Sequence, residues 1–423
     1  MTEPAQTYDV VIIGAGPAGS LAASLLTQAQ HRVLVVEKQH FPRFSIGESL
    51  LPQSMVYLEE AGLLQSVLDS AHELGFQYKN GAVFVSNQQQ SVFDFADKSC
   101  DGPESTYQVK RASFDQLLAQ KAQAFGAEFI FGSQLESIDF NPKPELIIRD
   151  EEGMASTIKA DFVLDASGFG RVLPRLLDLD LPSEFPVRSS IFCHIQDNIT
   201  DPTFDRNKIL IETHPNEEDV WYWLIPFSDN TASLGCVAKP EFFERLRQGT
   251  APDLEPLGND QLLLRAVNQS TRLSKLLFAA VITQDAQQLT GYASNVKQLY
   301  GDHYALLGNA GEFLDPIFSS GVTIAFKSAT LACDCLIKQF NQQAVCWNKD
   351  FAEPLRQGVN TFKAFVDSWY QQQLQDIIQF QDAPDNIRQM ICSVLAGYAW
   401  DDNNPFVVEP KRRLNVLGEL CAP

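Results

Sequence analysis

Asp9-Val10-Val11-Ile12-Ile13 runs straight into Gly14-Ala15-Gly16-Pro17-Ala18-Gly19, and this junction limits the fold more than any other stretch. A short β-forming run breaks into G-x-G-x-x-G. An Ala- and Leu-rich helix follows over Ser20 to Gln28, then a second β run, Arg32 to Val36, that ends in Glu37. A β-turn-α-β unit within about 30 residues predicts a parallel, doubly wound sheet carrying a dinucleotide. Gly14 permits the tight turn, Gly16 lets backbone approach a pyrophosphate, and Gly19 allows close helix–strand packing. The helix N-terminus supplies free N–H donors and positive potential. Glu37, about 20 residues on, stands where a carboxylate accepts from the adenosine ribose hydroxyls. A lone glycine motif is weak; here strand, helix, second strand and acid all agree.

The remainder of that domain returns in pieces. Val109 to about Ala124 reads as an amphipathic helix, and Ala127 to Phe131 and Glu145 to Ile148 as strands. Phe162 to Gly168 is an apolar strand breaking into small residues; Tyr304 to Gly311 is the last strand, before a long helix from about Val322 to Phe340. Residues 185–285 alternate apolar and polar, the pattern of an antiparallel sheet. From about Trp347 the pattern is helical and rich in aromatics (Phe362, Phe365, Trp369, Tyr370). The fold class is therefore α/β. A Rossmann-type domain is assembled from 1–75, 105–185 and 285–340, a β-sheet substrate lobe from 76–104 and 186–284, and a C-terminal helical cap spans 341–423. Gly168-Phe169-Gly170 lacks a third glycine, so a second dinucleotide site is not expected.

Composition narrows the partners. A net charge of −21 argues against nucleic acid and anionic membrane, which need a basic surface. No run approaches the roughly 20 apolar residues of a membrane span. Met1 to Thr7 lacks a cationic secretory n-region, so a cytoplasmic location is expected. The eight cysteines are scattered, and the close pair Cys333 and Cys335 reads as ordinary thiols. His31, His40, His72, His194, His214 and His303 have no metal-ligand spacing and read as structural, and no metal is expected.

Three further segments carry chemistry. In Trp221-Tyr222-Trp223-Leu224-Ile225-Pro226 the two indoles lie one residue apart, on one face of a strand, and the proline ends the ladder. They make a rigid aromatic wall. Ser319-Ser320-Gly321, ahead of a helix, offers N–H and O–H donors to a small anion, or simply a serine N-cap. Lys79, before Asn-Gly, is by itself a solvated turn residue.

Together these segments resemble the flavin-dependent halogenases, within the FAD monooxygenase and geranylgeranyl-reductase-like superfamily, over most of residues 7–340. The FAD domain would then be of the aromatic-hydroxylase type. The glycine loop and Glu37, the run Phe41 to Leu50, Asp165-Ala166-Ser167-Gly168, and Asp315 to Val322 are similar to the family's cofactor segments. The resemblance implies FAD contacts from Gly14, Gly16, Pro17, Ala18, Gly19, Glu37, Lys38, Arg43, Ser49, Arg111, Asp165, Ser167, Gly168, Asn309, Asp315, Pro316, Gly321 and Val322. For Arg111 the alternative is a surface ion pair with Asp115 at i,i+4, and Arg43 and Glu48 order the loop between them.

Trp221 to Pro226 matches the W-x-W-x-I-P signature, which in the family screens flavin from organic substrate. Phe76 to Ala82 resembles the segment carrying the family's active-site lysine, here Lys79. Ser319, Ser320 and Gly321 would hold chloride or bromide. The implied enzyme uses reduced FAD, oxygen and halide to make hypohalous acid, relayed through Lys79 to an electron-rich aromatic ring, with a separate flavin reductase. Tryptophan halogenases place a glutamate where this chain has Phe318. That points to the branch acting on phenols, pyrroles or carrier-bound acyl groups, and leaves the base unidentified. The acidic surface favours a free small molecule over an acidic carrier protein. An FAD-dependent monooxygenase or geranylgeranyl-reductase-like oxidoreductase is the alternative, and a flavin-binding protein without turnover a third reading.

Overall fold

The computed structural model describes residues 6–86, 89–183, 185–248, 257–380 and 384–421. The first sheet runs, in spatial order, Glu128–Ile130, Val33–Val36, Gln6–Ile13, Ala155–Asp165 and Tyr304–Leu306, all parallel, with Tyr300–Gly301 antiparallel at the edge. Val10 to Ile13 are buried on both faces, which accounts for their unbroken apolar run. Ile13 pairs with both Val36 and Asp165, so the carboxyl ends of three strands meet at one level. Ligands of open α/β sheets bind outside those ends.

The first helix spans Pro17–Gln28 rather than beginning at Ser20. Proline fits there because its fixed φ suits the first turn and its missing N–H would be unpaired anyway. Helices Arg111–Ala124 and Gly321–Phe340 pack on it. The expected strand at Glu145 lies outside the parallel ladder. Glu145–Asp150 instead pairs antiparallel with Ser133–Asp139 and with the outer half of the long strand Ala155–Asp165.

Among the described residues the second sheet has seven strands, in the order Val281–Thr290, Ser189–Gln196, Thr231–Ala238, Trp221–Pro226, Lys208–Thr213, Gly81–Ser86 and Gln89–Asp94. It is antiparallel except where Lys208–Thr213 meets Gly81–Ser86 in parallel. The chain leaves this sheet after Asp94 and returns only at Ser189, so no hairpin dictates the direction of that pairing.

Period-two alternation sorts the wall strand cleanly. Trp221, Trp223 and Ile225 join the main core against the first sheet, while Tyr222 and Leu224 face a second core under helices Pro240–Gln248 and Asn259–Val267. The aromatic C-terminal segment forms helices Glu353–Tyr370, Gln373–Gln379, Asp385–Leu395 and Pro410–Cys421. Its Phe365 and Trp369 rings pack edge-on against Phe318. Cys333 and Cys335 are free and buried, and no helix among the described residues is long and apolar enough to cross a membrane.

Candidate active site

A cavity of about 510 Å³ opens at the carboxyl ends of the parallel strands. Gly14, Gly16, Pro17 and Ala18 line it, together with Glu37, Lys38, Arg43, Ser49 and Arg111; Ser167, Gly168, Asn309, Pro316, Gly321 and Val322 complete the predicted set that reaches it. Gly14 sits at φ +99°, and a Cβ there would lie 2.6 Å from the Ala166 carbonyl oxygen. A Cβ on Gly19 would lie 2.0 Å from the Gly14 carbonyl oxygen. Gly19 therefore shapes the loop from behind and does not itself line the cavity.

The Glu37 carboxylate accepts the Ala15 and Gln39 N–H groups at 2.8 and 3.0 Å, tying the second strand to the glycine loop. Arg43 reaches Asp115 at 3.2 Å and Glu37 at 3.6 Å, yet its Nε is buried without a hydrogen-bond partner. An orphaned cationic donor on the lining of a glycine-loop cavity fits the phosphates or ribose of a dinucleotide. Arg111 lines the cavity and also grips Asp115 bidentately at 2.7 and 2.8 Å, but that pair is buried, not on the surface. Asp165 stands behind the lining. It accepts the Ser167 and Leu173 N–H groups at 2.9 and 2.7 Å, and burial raises its pKa. Its contribution is to fold the Ala166–Gly170 turn.

Trp221 and Trp223 close one side of the cavity with ring centroids 5.8 Å apart. The Trp223 indole N–H donates to Ser233 Oγ at 3.1 Å. Its ring lies flat over Gly235, where a Cβ would come within 2.2 Å. The Trp221 indole N–H donates to the Tyr370 hydroxyl at 2.9 Å, and that hydroxyl donates to Asp315 Oδ2 at 2.8 Å. Tyr292 adds a second donor to the same oxygen at 3.2 Å, while Asp315 Oδ1 accepts the Ile317 N–H. Burial pushes the Asp315 pKa up, opposed by the Tyr370 bond and by Arg188, whose guanidinium stacks 3.4 Å from the Tyr370 ring centroid.

Asp315 thus sits behind the lining, bracing the turn Pro316–Phe318. Ser319 and Gly321 face the cavity, and Ser319 is held in the left-handed region at φ +56°. Ser320 occupies the N-cap position of helix Gly321–Phe340, but no side-chain cap bond forms, so the simple serine-cap alternative does not hold. The Ser320 side chain is buried and off the cavity lining.

Lys79 ends the strand Gln77–Lys79 and is only 1% exposed, which rules out a solvated turn residue. Its Nζ donates to Ser49 Oγ at 2.8 Å and to the Leu50 carbonyl at 2.7 Å, and lies 5.4 Å from the centre of the Phe95 ring. Desolvation lowers its pKa to about 7. Lys79 does not line the cofactor cavity; Ser49, its hydrogen-bond partner, does.

Sequence reading missed two groups here. One is the Tyr370–Asp315–Tyr292–Arg188 hub. The other is the pairing of Glu48, already expected in the loop beside the cofactor and found on the cavity lining, with His194, whose Nε2 lies 2.7 Å from Glu48 Oε1. Both join residues too far apart in the chain for spacing to reveal them. No cluster of metal-ligating side chains occurs among the described residues.

A family model described as an FAD binding domain matches residues 7–302. A 1H-pyrrole-2-carbonyl-[peptidyl-carrier protein] chlorinase from Pseudomonas fluorescens is 28% identical, over 86% of this chain and 83% of its own. The corresponding brominase from Pseudoalteromonas luteoviolacea is 30% identical over 78% and 77%. A crystal structure of a flavoprotein/dehydrogenase from Cytophaga hutchinsonii is 38% identical, covers 98% of this chain and 99% of that one, and superposes with a TM-score of 0.92. With its cofactor cavity, its indole wall and these relatives, the chain belongs to the FAD-binding-domain family and, within it, to the flavin-dependent halogenases.

Proposed function

We propose that this halogenase acts on a pyrrole- or phenol-type ring, with Lys79 relaying the oxidant. Bound FAD, once reduced by a separate flavin reductase, supplies the electrons with which oxygen and halide become hypohalous acid. Ser319 and Gly321, which reach the cavity where the expected Ser320 does not, bind chloride or bromide, where a glycine and helix N-terminal amides favour a partly dehydrated anion. Trp221 and Trp223 keep the ring away from the cofactor. Lys79 Nζ holds the oxidant, by hydrogen bond or as a haloamine, and presents it to a ring carbon. No carboxylate stands at Phe318, so the ring proton leaves to water or to the substrate's own phenolate or pyrrole nitrogen. The relatives named for carrier-bound pyrrole favour an acyl-pyrrole tethered to a carrier protein over a free molecule. The reaction is placed in the cytoplasm.

One observation carries this reading. The Lys79 amine is sealed from solvent, has its pKa lowered to about 7, and donates to Ser49, a residue of the cofactor-cavity lining. An amine poised near neutrality has a lone pair available for oxidant. The test supplies the chain with FAD, a flavin reductase, NADH, bromide and pyrrole-2-carbonyl substrate, free or carrier-bound. Bromide-dependent, brominated product is expected. Oxidation of NADPH by this chain alone, with no halide dependence, would instead match a dehydrogenase.

A further inference from the structure

We propose that His194 and Glu48 form the proton inlet of the cofactor cavity. This rests on the halogenase reading, whose balance sets the need. Reduced FAD, oxygen, halide and one proton give oxidised FAD, hypohalous acid and water. Oxygen takes two electrons from the flavin and two from the halide; the two flavin hydrogens and the added proton end in hypohalous acid and water. Halogenating a ring C–H then releases only water. Each turnover must therefore bring one proton to the cofactor cavity, on whose lining Glu37 and Glu48 are the carboxylic acids.

Glu48 lies on the cavity lining and is 2% exposed. Behind it stands His194, whose side chain is 16% exposed and does not line the cavity. The order from inside outwards is cavity, Glu48 carboxyl, His194 imidazole, exterior. The strand carrying His194 changes register against Val281–Thr290 on both sides of that residue, between Phe192 and His194 and between His194 and Ile195. Such irregularities commonly re-aim a side chain beside a functional site. Phe44 and Phe227 clamp the imidazole edge-on, at 5.2 and 5.4 Å between centroids.

The charged groups facing the pair come from three sides. Arg111 acts on Glu48 from its helix. Lys79 bonds Ser49 next door. Lys110 lies over Phe227 and is ion-paired to Asp229. Across the sheet His194 is opposite Ser233 and Gln284, which carry no charge. Glu37, another acid on the lining, already accepts two backbone N–H groups and faces Arg43. In the proposed step the His194 imidazolium passes its Nε2 proton to the Glu48 carboxylate at Oε1 and becomes a neutral imidazole, Glu48 releases the proton into the cavity, and a proton taken from solvent restores the imidazolium.

The experiment follows bromide-dependent turnover of the FAD-loaded enzyme, with proton uptake read by a pH indicator in weak buffer. His194→Ala is expected to slow both about 100-fold, in the range of a lost acid–base group. FAD affinity should be unchanged, and added imidazole should restore most of the rate. Glu48→Gln should be slow without imidazole rescue. In the FAD-free protein, a downfield imidazole N–H resonance is expected that both substitutions abolish. A His194→Ala enzyme as fast as wild type, or one that imidazole leaves slow, overturns the inlet. So does the same N–H resonance surviving in Glu48→Gln. Wild-type enzyme that consumes no bromide overturns the halogenase reading first, and the inlet with it.

Discussion

The two flanks of the tryptophan wall are built from different materials. The cofactor flank is a cavity that joins glycines and the N-termini of helices Pro17–Gln28 and Gly321–Phe340 to charged side chains such as Glu37, Arg43 and Arg111. Beyond the wall the space is filled by side chains. Trp223 stands beside Ile211, and Ile211 beside Phe84, in one cross-strand row. Phe84 then meets Trp369, and Trp369 meets Phe318. A cavity shaped by a glycine loop and two helix N-termini can serve one cofactor throughout a family. A flank made of side chains from separate segments can be altered residue by residue, so substrate choice should be written there.

The largest effect expected from breaking this division falls on Lys79. Lys79→Ala should leave FAD affinity and bromide-stimulated oxygen consumption near wild type and lower halogenated product about 1000-fold, the scale of a lost catalytic group. Product quantified by mass spectrometry against oxygen consumed checks it, and an equal loss of both would place Lys79 on the cofactor flank. Next in size is Gly235→Ala. The new methyl would overlap the Trp223 indole on strand-paired backbone, so about 2–3 kcal/mol of stability should be lost, as in an overpacked core. Urea unfolding measures it, and a native-like midpoint would mean that the indole has room to move. Tyr370→Phe is expected to cost less, about 1–2 kcal/mol, by unpairing the Trp221 indole and removing one donor from Asp315. Since Asp315 braces the turn that leads into the proposed halide site, the bromide KM of this variant should rise more than its KM for the aromatic substrate. Equal changes in the two would reduce Tyr370 to a packing role.

The same division explains what the sequence made legible. The glycine loop, the second strand and Glu37 are contiguous, and local sterics dictate their geometry. Trp221 and Trp223 could be placed on one face because strand periodicity is local too. Lys79 was different. Its segment matched a motif, but nothing near it in sequence implied that Ser49 and Leu50 would hold its amine out of water. Arg111 was read as a cofactor contact or an ion-pair partner of Asp115, and it is placed to be both, because Asp115 is buried beneath the cavity. Asp165 and Asp315 match cofactor segments, yet Asp165 turns its carboxylate onto the Ser167 and Leu173 N–H groups, and Asp315 is held by the Ile317 N–H and the Tyr292 and Tyr370 hydroxyls. Tyr370 was legible only as one aromatic among several, since its partners Trp221 and Asp315 lie far off in the chain. Pairings of that kind are decided by tertiary packing, which a single sequence does not display.

The smallest predicted effect concerns the energy of holding Lys79 where it is. Its pKa is about 7 in the folded chain against 10.5 for the free side chain. Below about pH 7 the lysine is protonated in both states, so the full cost of burying an ammonium weighs on the fold and does not vary with pH. Between about pH 7 and 10.5 the unfolded chain binds the extra proton, and wild-type stability rises with pH. Lys79→Met removes the titration while keeping an unbranched apolar stem, at the expense of unpairing Ser49 and Leu50. The stability of Lys79→Met relative to wild type should therefore be greatest near pH 6 and fall by about 1 kcal/mol by pH 8. Denaturant midpoints for the two proteins at both pH values provide the measurement. A difference that does not change with pH would mean that the amine is already neutral, or still solvated, across that range. Either result would make Lys79 an ordinary buried or ordinary exposed amine and take away the lowered pKa that its proposed relay role requires.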